Sequence, residues 1–347
     1  MSIFEHISFD EHEHVMFCHD KASGLKAIIA VHDTTLGPAV GGCRMWPYES
    51  EEDAINDVLR LSRGMTYKNA LAGLEFGGGK SVIIGDPKSD KSDALFHAFG
   101  RAVDALGGRY FSAEDVGINT SDIMKAHEVT PYMCGLEGQS GDPSPFTALG
   151  TYLGIKAAVK HQRGLDSLKG IKVAVQGLGH VGFDTCRHLH EAGAELVVCD
   201  LSAEQLDRAA TEFGATIVGL DEIYSQDVDV YCPCALGATI NDNSIPQLKA
   251  SIVAGCANNQ LAEPRHGAIL KQKGILYAPD YVINAGGIIN VSFEKEYDAA
   301  KSEAKVRKIY DTLLTIFAKA EEQGKTTGEV ADIMAREIIA KARAAKA

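Results

Sequence analysis

Four short stretches carry residue types able to do chemistry. LEFGGGKSV, over 74–82, sets Lys80 behind three glycines and ahead of a β-branched run. Such a lysine is expected in a close-packed cleft, where desolvation lowers an amine pKa toward the range of a working base. GMTYKNAL holds Lys68, a point charge able to bind a substrate carboxylate. AEDVG closes a predicted strand on the acidic pair Glu114 and Asp115. QGLGHVG carries Gly177-x-Gly179-x-x-Gly182, a spacing suited to a pyrophosphate.

The Lys80 stretch looks like a phosphate loop, but the spacing excludes one. That loop needs G-x-x-x-x-G-K-[ST]. Counting back from Gly79-Lys80, the first glycine belongs where the chain has Leu74. The order of elements is also reversed. A phosphate loop leaves a strand and opens a helix whose N–H groups face the anion. Here a helical stretch precedes the lysine, and SVIIGDP, a strand stopped by Gly85 and Pro87, follows it.

The second glycine motif stands in the right context. Strand IKVAVQ precedes it, a helix follows, and Asp200 closes the next strand, AELVVCD, 23 residues beyond Gly177 and close to the roughly 20 expected. Gly177 permits the tight turn, Gly179 lets the pyrophosphate approach, and Gly182 allows close helix–strand packing. The candidate cofactor residues are Gly177, Leu178, Gly179, His180, Val181, Gly182, Phe183 and Asp200. Asp200 would accept the ribose hydroxyls and repel a 2′-phosphate, and Leu201-Ser202 supply no arginine, so the expected cofactor is NAD. The apolar strands VDVYCPCA, SIVAGCANNQ and GILYAPDYVINAGG end in small or amide residues. Ligands bind at the carboxyl ends of strands in open α/β sheets. Ala235, Asn258 and Asn284 are therefore cofactor candidates, or else turn residues.

These motifs need an α/β fold in two domains: an N-terminal α/β substrate domain and a Rossmann-type dinucleotide-binding domain. The expected boundaries are 1–136 for the first, completed by a C-terminal helix over 326–347, and 137–325 for the second. GLKAIIAVHDTTLGPAVGGCRMW reads as a β-rich run followed by a glycine-rich loop. Ser50, ahead of Glu52 and Asp53, opens a helix. The Gly-, Pro- and Ser-rich segment 137–150 is the candidate hinge. Thr326 and Glu329 have capping-box spacing.

Composition narrows the partners. The chain has 347 residues, 45% of them hydrophobic, enough for a sizeable core. A net charge of −13 argues against nucleic acid and anionic membranes. No apolar run approaches the roughly 18 residues of a membrane span. The start, MSIFEHISFDEHEHV, lacks a signal-peptide pattern, so a cytoplasmic location is expected. His12 and His14 read as part of a solvated face. The eight cysteines include no C-x-x-C pair and read as reduced core thiols. Cys232-Pro-Cys234 has the wrong spacing for a metal site, and no metal is expected.

LGPAVGGCRMW, GMTYKNALAGL, GGGKSVIIGDP, AEDVG, GDPSPFTA, PCALGA, ANNQLAE and YAPDYVINAGGIIN together resemble the glutamate/leucine/phenylalanine/valine dehydrogenase family, most closely its leucine branch. The resemblance runs through nearly the whole chain. It implies reversible, NAD(P)-dependent oxidative deamination of L-amino acids to 2-oxo acids and ammonium, in a homo-oligomer (octamer or dimer), with the active site between the domains. Lys80 would activate water, and Asp115 would exchange protons with the amino group. Lys68 would bind the α-carboxylate with backbone groups of Gly41 and Gly42, beside Met65. Thr147 would help place the nicotinamide. Val40, Ala113, Ile288 and Val291 would line an apolar side-chain pocket, implying leucine, valine or isoleucine; the alternatives are a phenylalanine- or glutamate-type amino acid dehydrogenase, or a non-catalytic nucleotide-sensing protein on the same fold. Glutamate dehydrogenases carry a lysine at the Val40 position. The chain departs from the leucine pattern over 292–306 and at Cys134, where threonine is usual.

Overall fold

The structure, a computed structural model, describes residues 2–136 and 142–346. Met1–Gly141, Val291–Tyr297 and Ala335–Ala347 cluster as one compact unit, and Asp142–Asn290 with Asp298–Met334 as another.

The first unit is built from β1 (His14–Asp20), β2 (Leu25–Asp33), β3 (Ala39–Trp46), α1 (Glu51–Leu71), β4 (Gly77–Ile84), α2 (Asp93–Asp104), β5 (Tyr110–Glu114) and α3 (Thr120–His127). Its sheet runs β1-β2-β4-β3-β5. β1, β2 and β4 pair antiparallel, and β4, β3 and β5 pair parallel. Strand β2 is apolar almost throughout because both its faces are covered. Ile28 and Ala30 pack with Ala54, Val58 and Leu59 of α1. Ala27 and Ile29 pack on the other side with Leu95, Phe96 and Phe99 of α2. Ser50 caps α1 by accepting the Asp53 N–H, as its position predicts.

Two glycine runs are strands, which corrects the loop expected at Gly41-Gly42. Both of these residues lie inside β3, in register with Ser112 and Ala113 of β5. Gly77, Gly78 and Gly79 open β4 itself. The cause at Gly78 is steric: an added Cβ would stand 2.0 Å from the backbone N of Thr66. Helix α1 therefore lies directly on the β4 backbone, and only glycine permits that approach.

The second unit contains α4 (Ser144–Arg163), β6 (Lys172–Gln176), α5 (His180–Glu191), β7 (Glu195–Cys199), α6 (Ala203–Phe213), β8 (Thr216–Ile217), β9 (Val230–Pro233), β10 (Ile252–Val253), α7 (Arg265–Gln272), β11 (Leu276–Tyr277), α8 (Asp280–Ile283), most of α9 (Gly286–Val291), α10 (Ala299–Val306), α11 (Lys308–Gln323) and the start of α12 (Thr327–Lys346). Its sheet order is β11-β10-β9-β6-β7-β8, and every pair is parallel. This is the doubly wound dinucleotide-binding order, with its switch point between β6 and β9. Residues 137–141 of the expected hinge lie outside the described residues, and α4 starts at Ser144. Thr326 and Glu329 exchange reciprocal cap hydrogen bonds, as their spacing predicts. All eight cysteines are free thiols. No described helix is long and apolar enough to cross a membrane.

His12 is not on a solvated face. It is 7% exposed, with Nε2 hydrogen-bonded to the Leu59 carbonyl and Ser62 Oγ on α1. Its ring meets His32 edge-on at 4.8 Å, and His32 Nδ1 pairs with Thr66 Oγ1 at 2.8 Å. Burial, then the charge of His12, lowers the His32 pKa to about 4, against weaker pulls from Asp10 and Asp33. Burial lowers His12 as well. A depressed histidine leaves the unfolded chain binding more protons below its usual pKa of about 6.5. The stability of this unit should therefore hold above about pH 6.5 and fall as pH drops toward 4. Thermal melting across that window checks this. His32→Asn should flatten the fall, and an unchanged slope would contradict the assignment.

Candidate functional site

The centre of the first unit is a buried ion pair. Lys80 on β4 is 6% exposed, and its Nζ lies 2.5 Å from Asp115 Oδ2, just past β5. Arg44 Nε, from β3, approaches the same oxygen at 3.4 Å. Arg44 Nη1 reaches Asp57 Oδ2 on α1 at 2.9 Å, and the Tyr48 hydroxyl donates to that oxygen at 2.7 Å. Burial alone would raise the Asp115 pKa. The Lys80 and Arg44 charges override it and hold the carboxyl at about 2. Lys68 is half-buried on α1, one turn beyond Met65, whose side chain lies over Gly41. An ammonium and a carboxylate in direct contact, shielded from water, can pass a proton to and from a bound molecule.

Sequence reasoning missed Arg44, Asp57 and Tyr48. The signal was present: Arg44 sits between Cys43 and Met45, both fully buried in β3, and a charge in a buried strand needs a partner. A cavity of about 290 Å³ also lies in this unit. Its walls include Val40, Phe76, Phe111, Met133, Cys134 and Val291, together with His127 and Glu294. Ala113 pairs with Gly42 across β3 and β5 but is not part of this wall. Ile288 lies in α9 within the second unit. The wall is less apolar than the four expected residues imply. Glu294 accepts the Gly135 N–H with both carboxylate oxygens, at 2.9 and 3.1 Å, and His127 Nδ1 is buried with no hydrogen-bond partner.

In the second unit, the candidate cofactor residues gather at the carboxyl edge of the sheet. Gly177 has φ +99°, and a Cβ there would meet Ala235 at 2.8 Å, so turn and contact both demand glycine. Asp200 Oδ2 accepts the Leu178 N–H at 2.6 Å, and its Oδ1 accepts the Ser202 N–H at 2.7 Å. Exposed Gly179 caps α5, with open space where a Cβ would stand, and exposed His180 begins that helix. Val181 is half-buried in its first turn, and Gly182 is buried behind it. Helix N-termini of this kind bind phosphate groups through free N–H donors. The Phe183 ring turns away: it packs on Phe213 at 5.0 Å and under the Arg208 guanidinium at 4.2 Å, fixing α5 to α6. Asn284 Nδ2 donates to Asn258 Oδ1 at 2.6 Å. Thr147 lies beside Gly287 and donates to the Pro143 carbonyl. Elsewhere in this unit Asp242, Glu263 and His266 converge, but Arg265 already bridges Asp242 and Glu263.

One unit thus has the doubly wound order of nucleotide-binding sheets, and the other holds a buried Lys–Asp pair. Residues 12–132 match the Glu/Leu/Phe/Val dehydrogenase dimerisation domain, and residues 138–347 match the Glutamate/Leucine/Phenylalanine/Valine dehydrogenase model. The chain belongs to that family of NAD(P)-dependent amino acid dehydrogenases. It is 54% identical to a leucine dehydrogenase of Geobacillus stearothermophilus over 100% of this chain and 95% of that protein. It is 48% identical to a phenylalanine dehydrogenase of Caldalkalibacillus thermarum, over 97% and 93%. The crystal structure of L-tryptophan dehydrogenase from Nostoc punctiforme superposes with a TM-score of 0.84 at 51% identity, over 96% of this chain and 97% of that one.

Removing one partner of a buried ion pair costs about 3–5 kcal/mol. Asp115→Asn should therefore lower the denaturation free energy by about that amount at neutral pH. The depressed carboxyl stabilises the fold above its unfolded pKa of about 3.9, and that contribution fades toward pH 2. The gap between variant and parent should narrow over the same range. A gap that persists at low pH would show that Asp115 acts by shape rather than charge.

Proposed function

We propose that this chain is an NAD-dependent dehydrogenase of branched aliphatic L-amino acids, interconverting them with 2-oxo acids and ammonium. The buried Lys80–Asp115 pair carries the reading. Lys80 activates the attacking water and polarises the imine carbon. Asp115, held ionised by Lys80 and Arg44, takes and returns the proton of the amino group. Lys68 and the backbone of Gly41 and Gly42 hold the α-carboxylate, with Met65 beside them. Gly177, Leu178, Gly179, His180, Val181 and Gly182 hold the pyrophosphate, and Asp200 the ribose. Thr147 helps place the nicotinamide, Ala235, Asn258 and Asn284 contact the cofactor, and Phe183 supports the turn from behind. Bound NAD supplies the hydride acceptor. Asp200 favours NAD over NADP because its carboxylate repels a 2′-phosphate.

Val40 and Val291, in the cavity wall, form the side-chain recess. Burying an unpaired substrate carboxylate there costs several kcal/mol, and Glu294 in the cavity wall adds like charge. An aliphatic side chain gains about 0.8 kcal/mol per buried CH₂. The cavity supports a second reading. At about 290 Å³, lined by Phe76, Phe111 and Met133, it has room for an aromatic side chain, and the tryptophan and phenylalanine enzymes are close relatives. The family's dimerisation-domain description and the exposure of Phe4 and Ile7, 77% and 95%, favour a homo-oligomer.

A panel of leucine, isoleucine, valine, phenylalanine, tryptophan and glutamate, with NAD and with NADP, tests the reading. Leucine, isoleucine and valine with NAD should give the highest kcat/KM, and the active species should sediment as an oligomer. Phenylalanine or tryptophan ranking first would establish the second reading. Glutamate ranking first, or equal use of NADP, would overturn the proposal.

A further inference from the structure

Three thiols sit beneath the dinucleotide turn and take no part in the chemistry described above. Cys232 in β9 and Cys234 just beyond it flank Pro233 on one face of the strand, with their Sγ atoms 3.5 Å apart. Cys256 approaches Cys234 from beyond β10, where the Ala257 N–H donates to the Pro233 carbonyl at 3.0 Å. Cys232 is buried, while Cys234 and Cys256 are half-buried. The Cys232 and Cys256 thiols both hydrogen-bond to Cys234, which holds its pKa well below the ordinary thiol value. The same contact with Cys234, then burial, pushes Cys232 well above it. Cys234, the less buried residue of the two, is thus the nucleophile, and its neighbour keeps its proton. Cys234 also adjoins the turn: a Cβ on Gly182 would lie 3.2 Å from the Cys234 Cβ, and the next residue, Ala235, stands against Gly177.

We propose that Cys234 and Cys232 form a reversible disulfide when the protein meets a peroxide, and that this bond loosens the dinucleotide turn. The Cys234 thiolate attacks one peroxide oxygen, the O–O bond breaks, and hydroxide leaves and is protonated to water. Cys234 is oxidised to the sulfenic acid and the peroxide is reduced. The Cys232 sulfur then attacks the Cys234 sulfur, the S–O bond breaks, and the oxygen leaves as water with the Cys232 proton. Two thiols and one peroxide give one disulfide and two waters, and a dithiol reductant reverses the change. An S–S bond of about 2.05 Å requires the sulfurs to close by about 1.5 Å. That movement carries Cys234 and Ala235 relative to Gly177 and Gly182, where the packing leaves no slack.

The test treats the full chain with hydrogen peroxide, quenches it in acid and counts thiols after unfolding. The count should fall by two from eight. The tryptic peptide carrying both Cys232 and Cys234 should lose two hydrogens and resist alkylation. NADH should bind more weakly, recovering with dithiothreitol, and Cys234→Ser should keep its remaining thiols. An unchanged count, a cross-link between Cys234 and Cys256, or a two-thiol loss with unaltered NADH affinity would overturn the proposal. Neither readout uses an amino acid substrate, so the result stands apart from the substrate assignment above.

Discussion

The first unit is organised around an ammonium group that has left water. Removing a charge from solvent costs several kcal/mol per ion even after relaxation, so it persists only where opposite charge and hydrogen bonds are in place. Asp115 supplies the charge for Lys80, Arg44 braces Asp115, and Asp57 and Tyr48 satisfy Arg44. Each comes from a different element: β4, the end of β5, β3, α1 and the segment between β3 and α1. The tight seating of α1 on β4 at Gly78 is part of the same constraint, because it brings the Asp57 helix close to the strand that carries Lys80. A structural ion pair could be replaced by apolar residues at little cost. The chemistry proposed for Lys80 and Asp115 would account for a charged pair here, with Lys68 on the helix that packs on β4.

The second unit follows a different rule. Its parallel sheet leaves the strand ends at the switch point free, and the chain fills that edge with glycine, alanine and amide residues. Asp200 shows how the edge is tuned. Both of its oxygens accept backbone N–H groups, which fix the carboxylate against the turn it serves.

What was legible in the sequence divides by the range of the interaction that decides it. The Gly177 turn, the caps at Ser50 and Thr326 and the run of parallel strands are local patterns, and they read correctly. The glycines of β3 and β4 did not read as strand, because their state is set by pairing and by a helix from elsewhere in the chain, not by propensity. The polar stretch around His12 suggests a solvated residue, yet it is buried against Leu59 of α1, 47 residues away. The polar side of the cavity was invisible for the same reason: Glu294 meets the Gly135 backbone across 159 residues. Lys80 stood out because glycines flanked it, while its brace, Arg44, needed the fold to be seen.

The central claim is that Lys80 acts on the reacting molecule rather than holding the sheet together. The direct measurement is steady-state turnover of Lys80→Ala with leucine and NAD, alongside its NADH affinity and melting behaviour. The account predicts a loss in kcat of about 10²–10⁴-fold, with a folded protein and NADH binding close to the parent. Turnover within a few-fold of the parent, by a variant that is folded and binds NADH, would contradict it.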